Sequence, residues 1–547
     1  MAAPDLLFTG GSVFRPDAPP IEAVAVTGGR IVAVGGNDLR ALAGPRTRVV
    51  DLAGGLLVPG FVDAHVHPVQ GGLERMRCDL SATSGRAGCL AAVAAYARTQ
   101  PDIEWVTGGG WCIADFDGGT PLAADLDRVV GHRPAFLLNR DHHGAWVNSA
   151  ALRRAAIDAD TPDPADGRIE RGADGHPSGT LHEGAMALVA RLVPAATPDD
   201  QVAALLEAQS HLHSFGITGW QDAIIGEYAT ITDSSSAYLR LANDGRLTAR
   251  VVGALWWDRE RGTEQVTELV TRRSALRAGR FRATSVKIMQ DGIAENFTAG
   301  MVEPYLDRCG CPTANRGLSF VDPTALAAAV TALDAKAFQV HVHAIGDRAV
   351  RETLDAFAAA RTANGIGDGW LDHRHHIAHL QVVQPDDVPR FAELGVAATV
   401  QPLWAAHEPQ MDELTIPFLG AERVAWQYPF RDLQRAGARL AAGSDWPVSS
   451  ADPLAGIHVA VNRRLPDASA GTPAFLPGQA IDLSSALEAY TRGSAYLNGD
   501  DAGGRIALGA PADLTVLDRN PFAGPPEEIG DTSVVATYVD GVEVFSC

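Results

Sequence analysis

Lysine is almost missing from this chain. Of 45 basic residues in 547, only Lys287 and Lys336 are lysine, and the other 43 are arginine. Coding bias accounts for that over most of a surface, where the two substitute freely, but not at a site that needs a titratable or modifiable amine. Cysteine is scarce as well. Six cysteines in so long a chain exclude a disulfide framework. Cys309 and Cys311 have no second cysteine pair with which to build a structural zinc site, so they read as loop thiols in a reduced cytoplasm. No apolar run approaches the roughly 18–20 residues that span a bilayer. Positive charge is in deficit: 45 basic against 66 acidic residues leave a net charge of −21. Without a basic cluster, nucleic acid and anionic membrane surfaces are excluded as partners. The opening MAAPDLLFTGG has no basic stretch followed by an apolar one, so no signal peptide is expected.

What is present is a folded composition, 46% hydrophobic and 20% charged, rather than a disordered one. The length allows one large barrel-type domain and a smaller one. Short alternating runs near Leu6, Ala23 and Ile31 are separated by glycine pairs. Similar runs end the chain: ADLTVLD, and VVATYVDGVEVF with Asp540-Gly541 as a hairpin turn. Both ends together predict one small β-sandwich, residues 1–57 and 496–547. Between them, with the barrel domain placed at residues 58–495, eight strand-like runs begin at Leu56, Gly216, Ala249, Ala283, Ala337, His373, Gly395 and Ala438, the first reaching into that domain, with Ala-rich helical stretches between several of them. The alternation predicts an α/β fold, a (β/α)8 barrel. Residues of about 81–202 are too many for a simple crossover. They read as an insertion beside the barrel mouth, with one strand from Pro134 and a Gly/Pro/Asp-rich loop at Asp158 to Gly179.

Barrel chemistry sits at the C-terminal ends of strands. His65 and His67 end the first run on one face, Lys287 lies toward the end of the fourth, and His343, His379 and Asp445 end the fifth, sixth and eighth. Neutral imidazoles and a carboxylate suit zinc or a similar first-row metal. A lysine ammonium is a poor ligand, but a lysine carboxylated by CO2 is a bidentate carboxylate able to bridge two metals. The six groups then divide into two histidine pairs, a bridge and an aspartate. A hydroxide between two cations is a strong nucleophile near neutral pH. His341, one pleat deeper than His343, reads as a hydrogen-bonded structural histidine.

These motifs resemble the amidohydrolase superfamily. LLVPGFVDAHVHP resembles its first-strand signature, IAHLQ its sixth-strand histidine motif and GSDWP its eighth-strand aspartate motif. SVKIMQDG, VHVHAIGDRAV, HRHHIAHLQ, VQPLW, HHGAWVNSAAL and DGHPSGTLHEGAM resemble the branch that contains N-substituted formamide deformylase. The resemblance implies one or two zinc ions and hydrolysis of amide-like bonds in small molecules. It places His65, His67 and Asp445 on the more buried metal, Lys287 as the bridge, and His343 and His379 on the second metal. Asp445 would take a proton from the attacking hydroxide and pass it to the leaving nitrogen, while a metal polarises the carbonyl. Where the branch often has RHRIEH, this chain has RHHIAH, with His376 and Ala378 in place of arginine and glutamate. Gly55 and Pro511 stand where relatives often keep lysine.

His143, Trp111, Asp291, Gln401, Trp404 and Trp446 are expected to line the substrate site, the first two from the insertion acting as a lid. The expected partner is a small-molecule amide, and a homodimer is allowed. Two other readings stand beside this one. One is a mononuclear deaminase, or a cyclic-amide or ester hydrolase, of the superfamily; mononuclear deaminases typically have a glutamate shortly after the fifth-strand histidine and lack the lysine, whereas here Ala-Ile-Gly-Asp follows His343 and Lys287 is present. A regulatory or binding protein on the same barrel would have no need of an intact ligand set.

Overall fold

A computed structural model of the chain describes residues 3–228, 231–365, 372–469 and 471–547. The eight apolar runs become eight barrel strands: β1 Phe61–Val66, β2 Ile217–Ile225, β3 Arg250–Trp256, β4 Phe281–Met289, β5 Gln339–Ala344, β6 His376–His379, β7 Ala397–Val400 and β8 Leu440–Ala442. Each pairs in parallel with the next, from β1 through to β8. Helices run between most of them. Pro323–Asp334 starts where the Asp322 carboxylate caps the N–H groups of Thr324 and Ala325, with proline at its first turn. Lys336 lies exposed just beyond this helix, so it is the solvated lysine of the two. Outward-facing Val286, Ile288, Val340 and Val342 pack on Leu326, Val330 and Leu354 of the helical layer. The larger hydrophobic core therefore lies between barrel and helices.

The ring closes between β8 and β1 by side-chain and loop bonds rather than by a strand ladder. Asp63, fully buried, accepts the N–H of His65 at 3.0 Å, the N–H of Ser444 at 3.0 Å and the hydroxyl of Ser444 at 2.5 Å. The Asp445 N–H donates to His65 O at 2.7 Å, and the His67 N–H to Trp446 O at 2.9 Å. The approach is so close that a Cβ on Gly443 would lie 2.6 Å from the His65 nitrogen. That explains the glycine that opens GSDWP.

Both chain ends build the sandwich. Arg30–Gly35, Ala23–Thr27, Leu6–Thr9 and Arg48–Asp51 form one sheet, and Ser12–Val13, Leu56–Pro59, Leu514–Leu517, Val534–Val539 and Val542–Ser546 form the other. Asp540 and Gly541 turn the last hairpin with φ of 48° and 72°, the positive values that an Asp-Gly turn supplies. Arg250, at the start of β3, ties barrel to sandwich through Asp513 and Asp540.

The insertion departs from expectation. Instead of one strand it supplies five strands of a six-stranded sheet, in the order Gly167–Arg171, Pro177–Glu183, Gly144–Val147, Ala135–Asn139 and Val106–Trp111, with Cys78–Asp79, just before the insertion, as the sixth. The segment read as a Gly/Pro/Asp-rich loop contains the first of these strands and the turn to the second. The glycine run in VTGGGW masks another strand. It is needed because a Cβ on Gly108, at φ 158°, would lie 2.1 Å from Cys78 O on the neighbouring strand. All six cysteines are free thiols, and Cys309 and Cys311 lie in an exposed turn capped by Asp307 Oδ1. Among the described residues no helix is long and apolar enough to cross a membrane.

The Asp63 clasp yields a test. Asp63→Ala leaves buried donors on His65 and Ser444 unpaired, each costing about 1–3 kcal/mol. The variant is expected to melt several degrees below wild type, whereas an unchanged melting temperature would show that the ring closes without it.

Candidate metal centre

Four imidazoles, one carboxylate and one amine meet at the C-terminal ends of the strands. Alternation along β1 puts His65 and His67 on one face, and His67 lies just beyond the strand, before helix Pro68–Met76. Asp445 Oδ1 is 3.2 Å from His65 Nε2 and 3.0 Å from His67 Nε2, and Oδ2 is 3.9 Å from His379 Nδ1. His65 Nε2 is also 3.3 Å from Lys287 Nζ. The rings of His65 and His343 lie 4.7 and 4.4 Å from that of His379. His379 at φ 80° and Asp445 at φ 57° occupy left-handed backbone, which costs an ordinary side chain of order 1–3 kcal/mol and concentrates at functional sites.

A deeper layer sets the rings. His65 Nδ1 lies 2.8 Å from His341 Nε2, which leaves His65 Nε2 to face Asp445. The structural role expected of His341 is thus a direct one: it orients His65. His376 packs against His341 at 4.1 Å, with the rings tilted by 35°, and is held between Thr399 Oγ1 at 2.7 Å and Gln221 Oε1 at 3.0 Å. The histidine that replaces an arginine therefore fills this layer and does not reach substrate.

Burial dominates the electrostatics. It drives the imidazoles of His65, His67, His343 and His379 below their ordinary range, His65 to about 3, so they are neutral lone-pair donors. It pushes the Lys287 amine down to about 7 despite the pull of Asp445. Burial opposes ionisation of Asp445 too, yet the His65 and His67 edges hold its carboxyl well below the usual carboxylate range.

The residues fit a metal ion. Asp445 Oδ1, His67 Nδ1 and His379 Nδ1 are buried without a hydrogen-bond partner, although Asp445 Oδ1 has two imidazole nitrogens within 3.2 Å. Lone pairs crowded together with no proton correctly placed between them are what a cation satisfies, and one carboxylate with imidazoles suits a first-row divalent ion. Of the six groups, His65, His379 and Asp445 present ligand atoms that lie mutually within 4.8 Å. His343 turns Nε2 toward Gly292 O at 3.3 Å and Asp291 Oδ1 at 3.5 Å, so Nδ1 is the nitrogen left to ligate.

An inner cavity of about 80 Å³ is lined by all six groups and adjoins a wider one of about 460 Å³. Asp141, Ile293, Ile345, Trp404 and Val448 line both. Of the residues expected to line the site, His143 faces the inner cavity, Trp446 the outer and Trp404 both. Trp404 stacks flat on His379 at 5.3 Å, and Trp446 packs against His211 at 5.0 Å. The other three do not line either cavity. Trp111 is core: it packs on Phe116 and Trp146 within the insertion and donates to Leu137 O. Asp291 lies past the end of β4, buried, and accepts the N–H groups of Gly300, Ile345 and Gly346. Gln401 is buried at 1% exposure. Residues not foreseen are Gln70, His142 and Asp141. Gln70 follows His67 by three positions, near one helical turn, the spacing that could have flagged it. Asp141 and His142 immediately precede the recognised His143 and lie beside the barrel only because the insertion sheet folds back over it.

This architecture defines a metal-dependent hydrolase: a parallel barrel with imidazoles and a carboxylate gathered at its strand ends, beside a sandwich made of both chain termini. The chain belongs to the amidohydrolase family, whose sequence model matches residues 48–545. It is 31% identical over 529 residues to the putative amidohydrolase YtcJ of Bacillus subtilis (strain 168), covering 96% of each chain. It is 28% identical to an N-substituted formamide deformylase of Arthrobacter pascens over 98% of each chain. An uncharacterized metal-dependent hydrolase of Pyrococcus furiosus shares the fold with a TM-score of 0.70 at 24% identity, covering 94% of this chain and 99% of that one.

Elemental analysis tests the centre. The purified chain is expected to hold one or two divalent ions, and His65→Ala to lose at least one. Metal at a hundredfold excess over its Kd stabilises the fold by about 2.7 kcal/mol, read as a rise in melting temperature. Unchanged metal content in His65→Ala would remove His65 from the ligand set.

Proposed function

We propose that this chain hydrolyses the C–N bond of a small-molecule amide, an N-substituted formamide or another N-acyl compound. The paired cavities carry the reading. The inner chamber at the ligands accommodates a small acyl group, and the wider cavity, walled by Trp404 and Trp446, accommodates the substituent on nitrogen. The similarity to a formamide deformylase points the same way. His65, His67 and Asp445 would hold one metal ion, His343 and His379 a second, and a carboxylated Lys287 would join them. Zinc is the expected metal. The Lys287 amine, brought to about 7 by burial, is substantially unprotonated near neutrality, the form that reacts with CO2.

A divalent ion bound there acidifies water and withdraws electrons from the substrate carbonyl. The chain's own residues do the rest. Asp445, kept ionised, accepts the water's proton and returns it to the leaving nitrogen; Oδ2, the oxygen farther from an imidazole, is the atom for that transfer. Trp404 stacks on His379, fixes the plane of its ring and stands between the two cavities as a wall of both. Six free thiols, three of them exposed, suit a reducing cytoplasm.

The test is a panel of N-alkyl formamides, N-acyl amino acids, cyclic amides and esters, given to zinc-loaded enzyme. Formamide turnover is expected, and activity confined to esters or to ring deamination would overturn the reading. Lys287→Ala and Lys287→Arg are both expected to lose bound metal and about 10²-fold or more in kcat, because guanidinium does not form the carbamate. Asp445→Asn is expected to retain some metal while losing about 10²–10⁴-fold in turnover, the range of a general acid–base.

A further inference from the structure

The insertion does more than wall the site. His143 lines the inner cavity with Lys287, His343, His379 and Asp445, and its ring lies 5.7 Å from that of His343. Its backbone is held on both sides. The N–H donates to Asp141 Oδ1 at 3.0 Å, and the carbonyl accepts the Glu183 N–H at 3.1 Å and Asn296 Nδ2–H at 2.9 Å. Its Nδ1 meets both carboxylate oxygens of Glu183, at 2.9 and 3.0 Å. Glu183 is 4% exposed and also accepts the Thr298 hydroxyl at 2.8 Å.

Three features show that this pairing is built in. Glu183 has φ 50° and ψ −128°, a conformation that persists only where its surroundings over-determine it. Residue 292 is glycine, and a Cβ there would lie 2.6 Å from Glu183 Oε1. The loop after β4 that holds Glu183 through Thr298 also offers Gly292 O to His343. One loop thereby sets a ring of the insertion against a ring of the barrel.

We propose that His143 is a catalytic residue whose Nε2–H holds the substrate carbonyl oxygen and the oxyanion that forms from it, with Glu183 as its positioning residue. The assignment rests on the C–N hydrolysis reading only in taking that carbonyl to be an amide's. Because Nδ1 is committed to Glu183, Nε2 is the atom free for the cavity, and it donates there when the ring carries both protons, the form that the facing Glu183 carboxylate favours. As water oxygen bonds to the carbonyl carbon, the π pair moves onto the oxygen held by His143. It returns as the C–N bond breaks, and nitrogen leaves with the proton Asp445 took from the water. Asp445 and His143 thus serve the two ends of the same bond change, one from the barrel and one from the insertion.

The test compares His143→Gln, His143→Asn and Glu183→Gln with wild type in the metal-loaded enzyme. Removing a preorganised oxyanion donor costs about 10²–10³-fold in kcat, so that loss is expected with little change in KM and unchanged metal content. Formate, read by calorimetry without turnover, is expected to bind at least tenfold more weakly to both His143 variants. The double variant His143→Gln/Glu183→Gln is expected to be no worse than His143→Gln alone, because both act through one ring. Wild-type formate affinity and kcat in the His143 variants would overturn the proposal. So would loss of metal in both of them, which would make His143 a ligand, and additive losses in the double variant would remove the role of Glu183. If no amide in the panel turns over but formate affinity still falls, the C–N reading fails and the His143 assignment stands.

Discussion

The structure is organised around a desolvated knot of lone pairs. Asp445 has two imidazole nitrogens within 3.2 Å of one oxygen and a third 3.9 Å from the other. Lys287 touches the same His65. Neutral bases and a carboxylate do not attract one another, and burying them together costs free energy unless something positive sits among them. Their proximity is tolerable because the chain is built to receive metal, and the surrounding architecture acts to prevent the knot from relaxing.

Three devices do that. Asp63 ties the first strand to the loop after the eighth, so the two ends of the barrel that carry His65, His67 and Asp445 cannot drift apart. The layer of His341 and His376 beneath the site fixes which nitrogen His65 presents. The loop after the fourth strand, through Asp291 and Gly292, turns His343 so that its Nε2 is occupied. Each device places a polar group where solvent is excluded and its bonds are strong. The left-handed backbone at His379 and Asp445 is paid for by this scaffold.

Much of this was legible in sequence. The barrel strands follow from runs of apolar residues, the terminal hairpin from Asp-Gly between alternating segments, and the ligand set from chemistry-bearing residues that end successive runs. The lysine shortage singled out Lys287, and the structure sets it against His65 while Lys336 lies exposed. The insertion was far less legible. VTGGGW was not among the expected strands, because glycine is depleted in them, yet it is a strand whose neighbour leaves no room for a side chain at Gly108. Trp111 looked like a lid residue and is core, since an aromatic carries no mark of which surface it packs against. Asp291 matched Lys287 in parity, but parity ended with the strand at Met289.

The sequence by itself therefore determined the fold class and the first ring of ligands, because periodicity and strand-end position are local properties that survive without coordinates. Only the tertiary structure decided what surrounds them. The clasp from Asp63, the His341 layer and the pairing of His143 with Glu183 join residues 40 to more than 300 positions apart. Contacts of that range depend on how the insertion and the loops are packed against the barrel, which no spacing along the chain encodes.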